Sequence, residues 1–311
     1  MTSVSQTSNS VLLVRPASFG FHAEAAASNA FATPLEGDAQ KAALAEFEGL
    51  SRRLSQARVN SLILEDTGAP ACPDAVFPNN WVSFHADGTI VLYPMATAAR
   101  RLERNVEGLT TLLKASGFEV RRIVDLSAHE QQGLFLEGTG SLILDRPRRQ
   151  AYASLSPRTD REVIVEFDDQ LDYSTLVFDA ADGDGRPIYH TNVLLSLGTH
   201  FAVLCADAVA PAARAALLAE LEASGRTLIA VSFEQMAGFA CNIIELMNRD
   251  RDPVILLSST ALAAFRPEQQ RILEGFGEIV DVAIPTIETV GGGSVRCMIA
   301  DIHLPRRFGA R

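Results

Sequence analysis

Short apolar, β-branched runs recur along the chain between clusters of turn residues, at Val11–Val14, Ser61–Leu64, Thr89–Tyr93, Ser141–Leu144, Phe201–Leu204 and Pro253–Leu257. Runs of this length and composition predict buried strands. Between them lie stretches with the roughly 3.6-residue period of a helix. Asp38–Ala57 sets Leu44, Phe47, Leu50 and Leu54 on one face behind a capping Asp38. Thr97–Ser116 does the same with Leu102, Val106, Leu109 and Leu113, and Gly117 suits its end. Pro211 and Pro267 each open a further helix, followed by Gly225 and Gly277. Strands alternating with helices predict an α/β protein.

The alternation is not one strand to one helix. FPNNWVSF and TIVLYP, then a helix and FEVRRIV, form a unit from Phe77. From Tyr189 the chain reads YHTNVLLSLG, HFAVLCAD, a helix and RTLIAVS; from Ala240 it reads ACNIIELM, PVILLSS, a helix and EIVDVAIP. LEGTGSLILD, from Leu136, opens a unit on the same plan, with no clean helical period over Arg146–Arg161. The polar or reactive residues near the unit starts are Asn80, Glu137, His190, Asn242 and Cys297, at intervals of 57, 53, 52 and 55 residues. A near-constant period predicts one ββαβ unit repeated around an axis. The last unit, from Val295, is too short, and the N-terminal strand, helix and strand supply what it lacks. The two ends of the chain are thus expected to close a ring, which removes two exposed sheet edges.

Composition narrows the class. Hydrophobic residues are 47% of the 311, enough for a sizeable core. With 27 basic and 38 acidic residues the net charge is −11, which argues against nucleic acid or an anionic membrane as partner. No apolar run reaches the roughly 18 residues of a membrane span. Met1–Ser10 has neither the basic nor the apolar region of a signal peptide and is expected to be a disordered tail, leaving 11–311 as a single domain. The four cysteines form no C-x-x-C pair, which points to a reducing, cytoplasmic compartment and away from structural zinc.

Equivalent positions of a radial repeat converge on its axis, so Cys297, His190 and Glu137 are expected to meet there. A thiolate, an imidazole and a carboxylate that orients the imidazole are the ingredients of nucleophilic catalysis. Singly, each also fits a structural role: a buried Cys in RCMIAD, a core His, a turn-capping Glu. Gly291-Gly292-Gly293-Ser294 before Cys297 permits close backbone packing but lacks the Lys-Ser/Thr of a phosphate loop. A second cluster, Asp74, Asn79 and Asn80 in CPDAVFPNNW, is rich in turn formers and also suits a polar planar ligand. Cys72, Cys205 and Cys241, and histidines 22, 85, 129, 200 and 303, receive no role.

Several fragments together resemble one family: VRPASFGF, PDAVFPNNW, YPM…RRLER, LEGTGSL, YHTNVLL, ACNII and GGGSVRC. They resemble the guanidino-group-modifying (pentein, amidinotransferase-like) superfamily, above all the citrulline-utilisation hydrolases near the dimethylarginine dimethylaminohydrolases. The resemblance covers nearly the whole chain. It implies a five-bladed α/β propeller with Cys297 as nucleophile, His190 as general acid/base and Glu137 as its acidic partner. Asp74 matches a ligand-binding Asp, and Asn79 and Asn80 stand where methylarginine hydrolases carry Glu-Asp. An acidic pair suits a guanidinium; two neutral amides suit a ureido group. Citrulline is therefore the expected substrate, hydrolysed to ornithine, carbon dioxide and ammonia. Arginine deimination, methylarginine hydrolysis, amidino transfer and a non-catalytic binding module are the alternatives. Arg158 matches a segment that binds the substrate carboxylate, with Arg15 and Arg296 as rivals. Protonated His190 is expected to favour the Cys297 thiolate. No cofactor or metal is implied, the partner is a small amino acid, the oligomeric state is open with a homodimer as one option, and Ser18–Glu24 is a candidate cover.

Overall fold

A computed structural model describes residues 4–307. Fifteen strands form five three-stranded sheets. In chain order, β1 (Ser10–Arg15) and β2 (Asn60–Glu65) flank the Ala39–Gln56 helix. Then come β3 (Val82–Phe84), β4 (Thr89–Leu92), the Val106–Ala115 helix and β5 (Arg122–Asp125). β6 (Ile143–Asp145), β7 (Gln150–Leu155), the Arg161–Leu171 helix and β8 (Ser174–Asp179) follow. β9 (Leu195–Leu197), β10 (Phe201–Leu204), the Pro211–Ala223 helix and β11 (Thr227–Ala230) form the next sheet. β12 (Ile244–Met247), β13 (Pro253–Ser258), the Pro267–Glu274 helix and β14 (Glu278–Val282) make the last complete blade, and β15 (Ala300–Asp301) ends the series.

Each blade repeats one logic. A short inner strand pairs antiparallel with a middle strand, which pairs parallel with an outer strand reached across the helix. Middle strands such as β10 are buried throughout, whereas outer strands β5 and β11 bury one residue in four. The inner strands lie beside one another: β15 meets β3, β6 meets β9, and β9 meets β12. Ring closure is literal, because β1 pairs antiparallel with β15 and parallel with β2. The architecture is the expected five-bladed α/β propeller. Among the described residues no helix is long and apolar enough to cross a membrane.

Two expectations need correction. A disordered tail is expected over 1–10: residues 1–3 lie outside the described residues, but Gln6 to Asn9 are woven into the ring. Gln6 Nε2 donates to Leu144 O (2.9 Å), Met247 N–H to Ser8 O (2.9 Å) and Asn60 N–H to Asn9 O (3.0 Å). Polar residues here satisfy inner-strand backbone groups instead of dangling in solvent. The Thr97–Ser116 helix is broken, with Ala98–Arg101 and Val106–Ala115 separated by a turn and the second piece capped by Asn105 Oδ1 on Gly108 N–H. Leu102 is 57% exposed. The absence of a helical period over Arg146–Arg161 agrees with the strand there, and the helix of that blade follows at Arg161–Leu171, capped by Asp160.

Leu12 is fully buried between β15 and β2 at the seam where the chain ends meet. Leu12→Ala is expected to cost about 2–5 kcal/mol by denaturant unfolding, whereas Leu102→Ala should stay within about 0.5 kcal/mol.

Candidate active site

Asn80, Glu137, His190, Asn242 and Cys297 sit in the turns just before β3, β6, β9, β12 and β15, so all five lie at one end of the axis. His190, itself extended, precedes a 3₁₀ turn at Thr191–Val193, and Cys297 lies in one at Val295–Met298. The turns approach closely because LEGTG supplies two glycines. A Cβ on Gly138 (φ +47°) would lie 2.2 Å from Asn79 O. One on Gly140 would lie 2.6 Å from Asn80 Nδ2 and 2.7 Å from His190 Nδ1.

Glu137 is fully buried and collects donors from three blades. His190 Nε2 lies 2.8 Å and Arg158 Nη1 3.3 Å from its Oε2, Arg100 Nη1 is 3.7 Å away, and Ala96 N–H donates to Oε1 at 3.0 Å. Burial opposes the charge, but Arg158, His190 and Arg100 prevail and hold the carboxyl well below the usual range. Burial pushes His190 down to about 4, against the pull of Glu137 and helped by Arg158 and Arg100. The resting pair is therefore a carboxylate and a neutral imidazole. A carboxylate only accepts, so the imidazole proton is assigned to Nε2, leaving Nδ1 for chemistry. The expected protonated His190 is thus corrected: two arginines already compensate the carboxylate.

Cys297 Sγ lies 3.3 Å from Asn242 Nδ2 and 3.4 Å from Asn192 Nδ2. Cys297, His190, Asn80, Asp74, Arg100 and Arg158 line one cleft of about 290 Å³ of empty space. Its roof is the segment around Ala25 and Asn29, so the cover reaches beyond Ser18–Glu24. His22 Nδ1 bonds Asp74 Oδ2 (2.7 Å), and Asn29 Nδ2 donates to Gly292 O (3.2 Å). The bond to Asp74 raises the His22 pKa despite partial burial. Gly292 (φ +64°) makes the Asn29 contact possible, since a Cβ there would lie 2.5 Å from Asn29 Nδ2. The glycine run thus receives the cover.

The substrate-binding expectations divide. Asp74 and Asn80 line the cleft; Asn79, fully buried, does not. Neighbours in a 3₁₀ turn point about 120° apart, so the two amides cannot act as a pair. Arg158 lines the cleft with three of its five N–H groups given to Ser28 Oγ (2.9 Å), Ala25 O (2.5 Å) and Glu137, and its guanidinium stacks 5.2 Å from the Tyr189 ring. It thereby holds the cover. Neither rival reaches the cleft: Arg15 pairs with Glu65 (3.1 Å), and Arg296 donates to Ile299 O (2.8 Å). Sequence reasoning missed Arg100, which is 2% exposed and gives its donors to Glu103, Phe77 O and Asn80 Oδ1 (2.8 Å). It belongs to the RRLER fragment, but a helical arginine reads as solvent-facing. His22 was also passed over; its only signal was its place in the covering segment.

A model of the family described as N,N dimethylarginine dimethylhydrolase, eukaryotic, matches residues 15–304. No curated protein sequence matches the chain. Among solved structures, a cysteine-to-alanine mutant of AgrE with L-arginine is similar over 96% of this chain and 41% of its own, with TM-score 0.74 and 16% identity. Apo ArgZ, an arginine dihydrolase from the ornithine–ammonia cycle in cyanobacteria, gives 97%, 42%, 0.74 and 16%. A dimethylarginine dimethylaminohydrolase carrying a 4-chloro-2-hydroxymethylpyridine adduct gives 96%, 100%, 0.65 and 15%. The chain spans about two fifths of the AgrE and ArgZ chains. At these identities the likeness is one of fold.

Because the folded His190 pKa is depressed, the unfolded chain takes up its proton first on acidification. The stability tied to neutral His190 is complete above about pH 6.5 and falls progressively toward pH 4, by a few kcal/mol in all. NMR of the imidazole should show a midpoint near 4; protonation near 6.5 would contradict the charge balance described. Gly140→Ala should displace the imidazole and cost about 1–3 kcal/mol by overpacking, read by thermal unfolding.

Proposed function

The chain belongs to the N,N-dimethylarginine dimethylhydrolase family, and from that premise we propose that it is a hydrolase of carbon–nitrogen bonds other than peptide bonds, acting on the ureido group of citrulline through Cys297, His190 and Glu137. The observation that carries the choice of substrate is the orientation of Asn80. Its Oδ1 is taken by Arg100, which can only donate, so Nδ2 is left as a buried donor with no protein partner. A ureido group offers that donor an oxygen. A guanidinium, which carries donors alone, offers nothing and leaves the amide unsatisfied at a cost of about 1–3 kcal/mol.

The reaction runs in two halves. Cys297 gives its proton to neutral His190, and the sulfur attacks the ureido carbon, forming the S–C bond and moving the carbonyl pair onto oxygen. The carbonyl re-forms as the bond from carbon to the side-chain nitrogen breaks, and imidazolium His190 protonates the departing ornithine amine. His190 then takes a proton from water, whose oxygen attacks the carbamoyl thioester. The S–C bond breaks, imidazolium His190 returns its proton to the Cys297 sulfur, and carbamic acid leaves and decomposes to carbon dioxide and ammonia. Glu137, kept ionised, stabilises the imidazolium each time it forms. ArgZ is described as an arginine dihydrolase, which supports carbon–nitrogen hydrolysis on this propeller.

The second reading is hydrolysis of a methylated arginine. The family description supports this reading better than citrulline, and the Asp74 carboxylate in the cleft wall, which suits a cation, supports it too. His22 already occupies one oxygen of that carboxylate, which weakens its claim on a guanidinium.

Incubation with citrulline, arginine and dimethylarginine, with ornithine, citrulline, ammonia and dimethylamine quantified, separates the readings. Ornithine from citrulline is expected, with turnover abolished by Cys297→Ser. Dimethylamine from dimethylarginine, or citrulline from arginine, without ornithine release, would replace this substrate. No turnover of any would point to a binding module. Asn80→Asp should lower kcat/KM for citrulline about 10–100-fold, the loss of one strong hydrogen bond in the transition state.

A further inference from the structure

Two amides turn a nitrogen to Cys297, and for Asn242 a surrounding bond dictates that orientation. Asn242 Oδ1 accepts Arg296 N–H at 3.0 Å, and a backbone N–H only donates, so Nδ2 is the end that faces sulfur at 3.3 Å. Asn192 also presents Nδ2 to sulfur, at 3.4 Å. Its Oδ1 is buried without a protein partner. The sole acceptor for a thiol proton among these groups is Asn242 Oδ1, at 3.7 Å and already engaged by Arg296.

We propose that Asn192 and Asn242 are positioning residues that form a two-amide cradle stabilising the Cys297 thiolate as His190 takes its proton. A thiolate accepts at every direction, so two N–H groups aimed at the sulfur stabilise it as it forms. The cradle takes over the task expected of a protonated His190, and it leaves that imidazole neutral to receive the proton. The inference rests on the reading of Cys297 as nucleophile, but its test does not require turnover.

The test is the rate at which iodoacetamide alkylates Cys297, followed by peptide mass spectrometry across pH. Asn242→Asp keeps the side-chain shape and the acceptor for Arg296 N–H, but sets a carboxylate oxygen where the donor stood. Alkylation at pH 7 should fall at least about tenfold in this variant and in Asn192→Ala, with the difference from the parent narrowing as the pH rises and every thiol ionises. Unchanged alkylation at pH 7 in both variants would overturn the cradle. If Asn242→Asp does not fold, Asn192→Ala read by the same assay decides. Slowed alkylation in a protein that leaves citrulline intact keeps the cradle and removes the substrate reading. Citrulline turnover lost in Cys297→Ser, with alkylation unchanged in the asparagine variants, keeps the substrate reading and removes the cradle.

Discussion

One buried carboxylate organises this molecule. An ionised group at the axis of a propeller, out of reach of water, costs several kcal/mol unless it is paired on every side. Glu137 meets that demand by drawing Arg100 and Ala96 N–H from the β3–β5 blade, Arg158 from its own and His190 from the next. The inner ends of three blades are thereby tied to one point. The glycines at 138 and 140 are the steric condition for it, because only a bare backbone lets the Asn79–Asn80 turn and the imidazole come so near.

The same pairing explains the cover. Arg158 reaches Glu137 with one nitrogen and the covering segment with two, at Ser28 Oγ and Ala25 O. His22, from the same segment, reaches Asp74. The guanidinium that faces the cleft is therefore also the one that holds the roof. The cleft in its covered form is small, consistent with a roof that moves to admit a ligand and then excludes water around the reacting atoms.

Much of this was legible in the sequence, for a specific reason. Blade repetition leaves a periodic signature of apolar runs, and the anchors Asn80, Glu137, His190, Asn242 and Cys297 fall at one place in each unit, so their meeting at the axis follows from spacing. What spacing does not carry is direction and charge. Asn79 and Asn80 are adjacent letters, yet a 3₁₀ turn sends one into the cleft wall and the other elsewhere. The period across Thr97–Ser116 suggests one helix, but Arg100 and Arg104 turn to Asn80, Glu103 and Glu130, tertiary partners that accompany the break near Leu102. The charge state of His190 depends on how deeply it is buried and on two distant arginines, neither of which a linear pattern records.

The charge balance of the cleft also speaks to what it accepts. Arg100 and Arg158 face Asp74, Glu103 and Glu137, and burial raises Glu103 to about 7 against the pull of Arg100. His22 shares its proton with Asp74. The wall is thus close to neutral and internally paired before any ligand arrives. A cation entering such a site gives up its hydration for carboxylates that already have partners, at low dielectric where that exchange is unfavourable. A neutral planar group asks only for hydrogen bonds, and the unpartnered amide of Asn80 has one to give. Asn80 is therefore part of a balance that reaches from Glu103 to His22, in which its oxygen is held by Arg100.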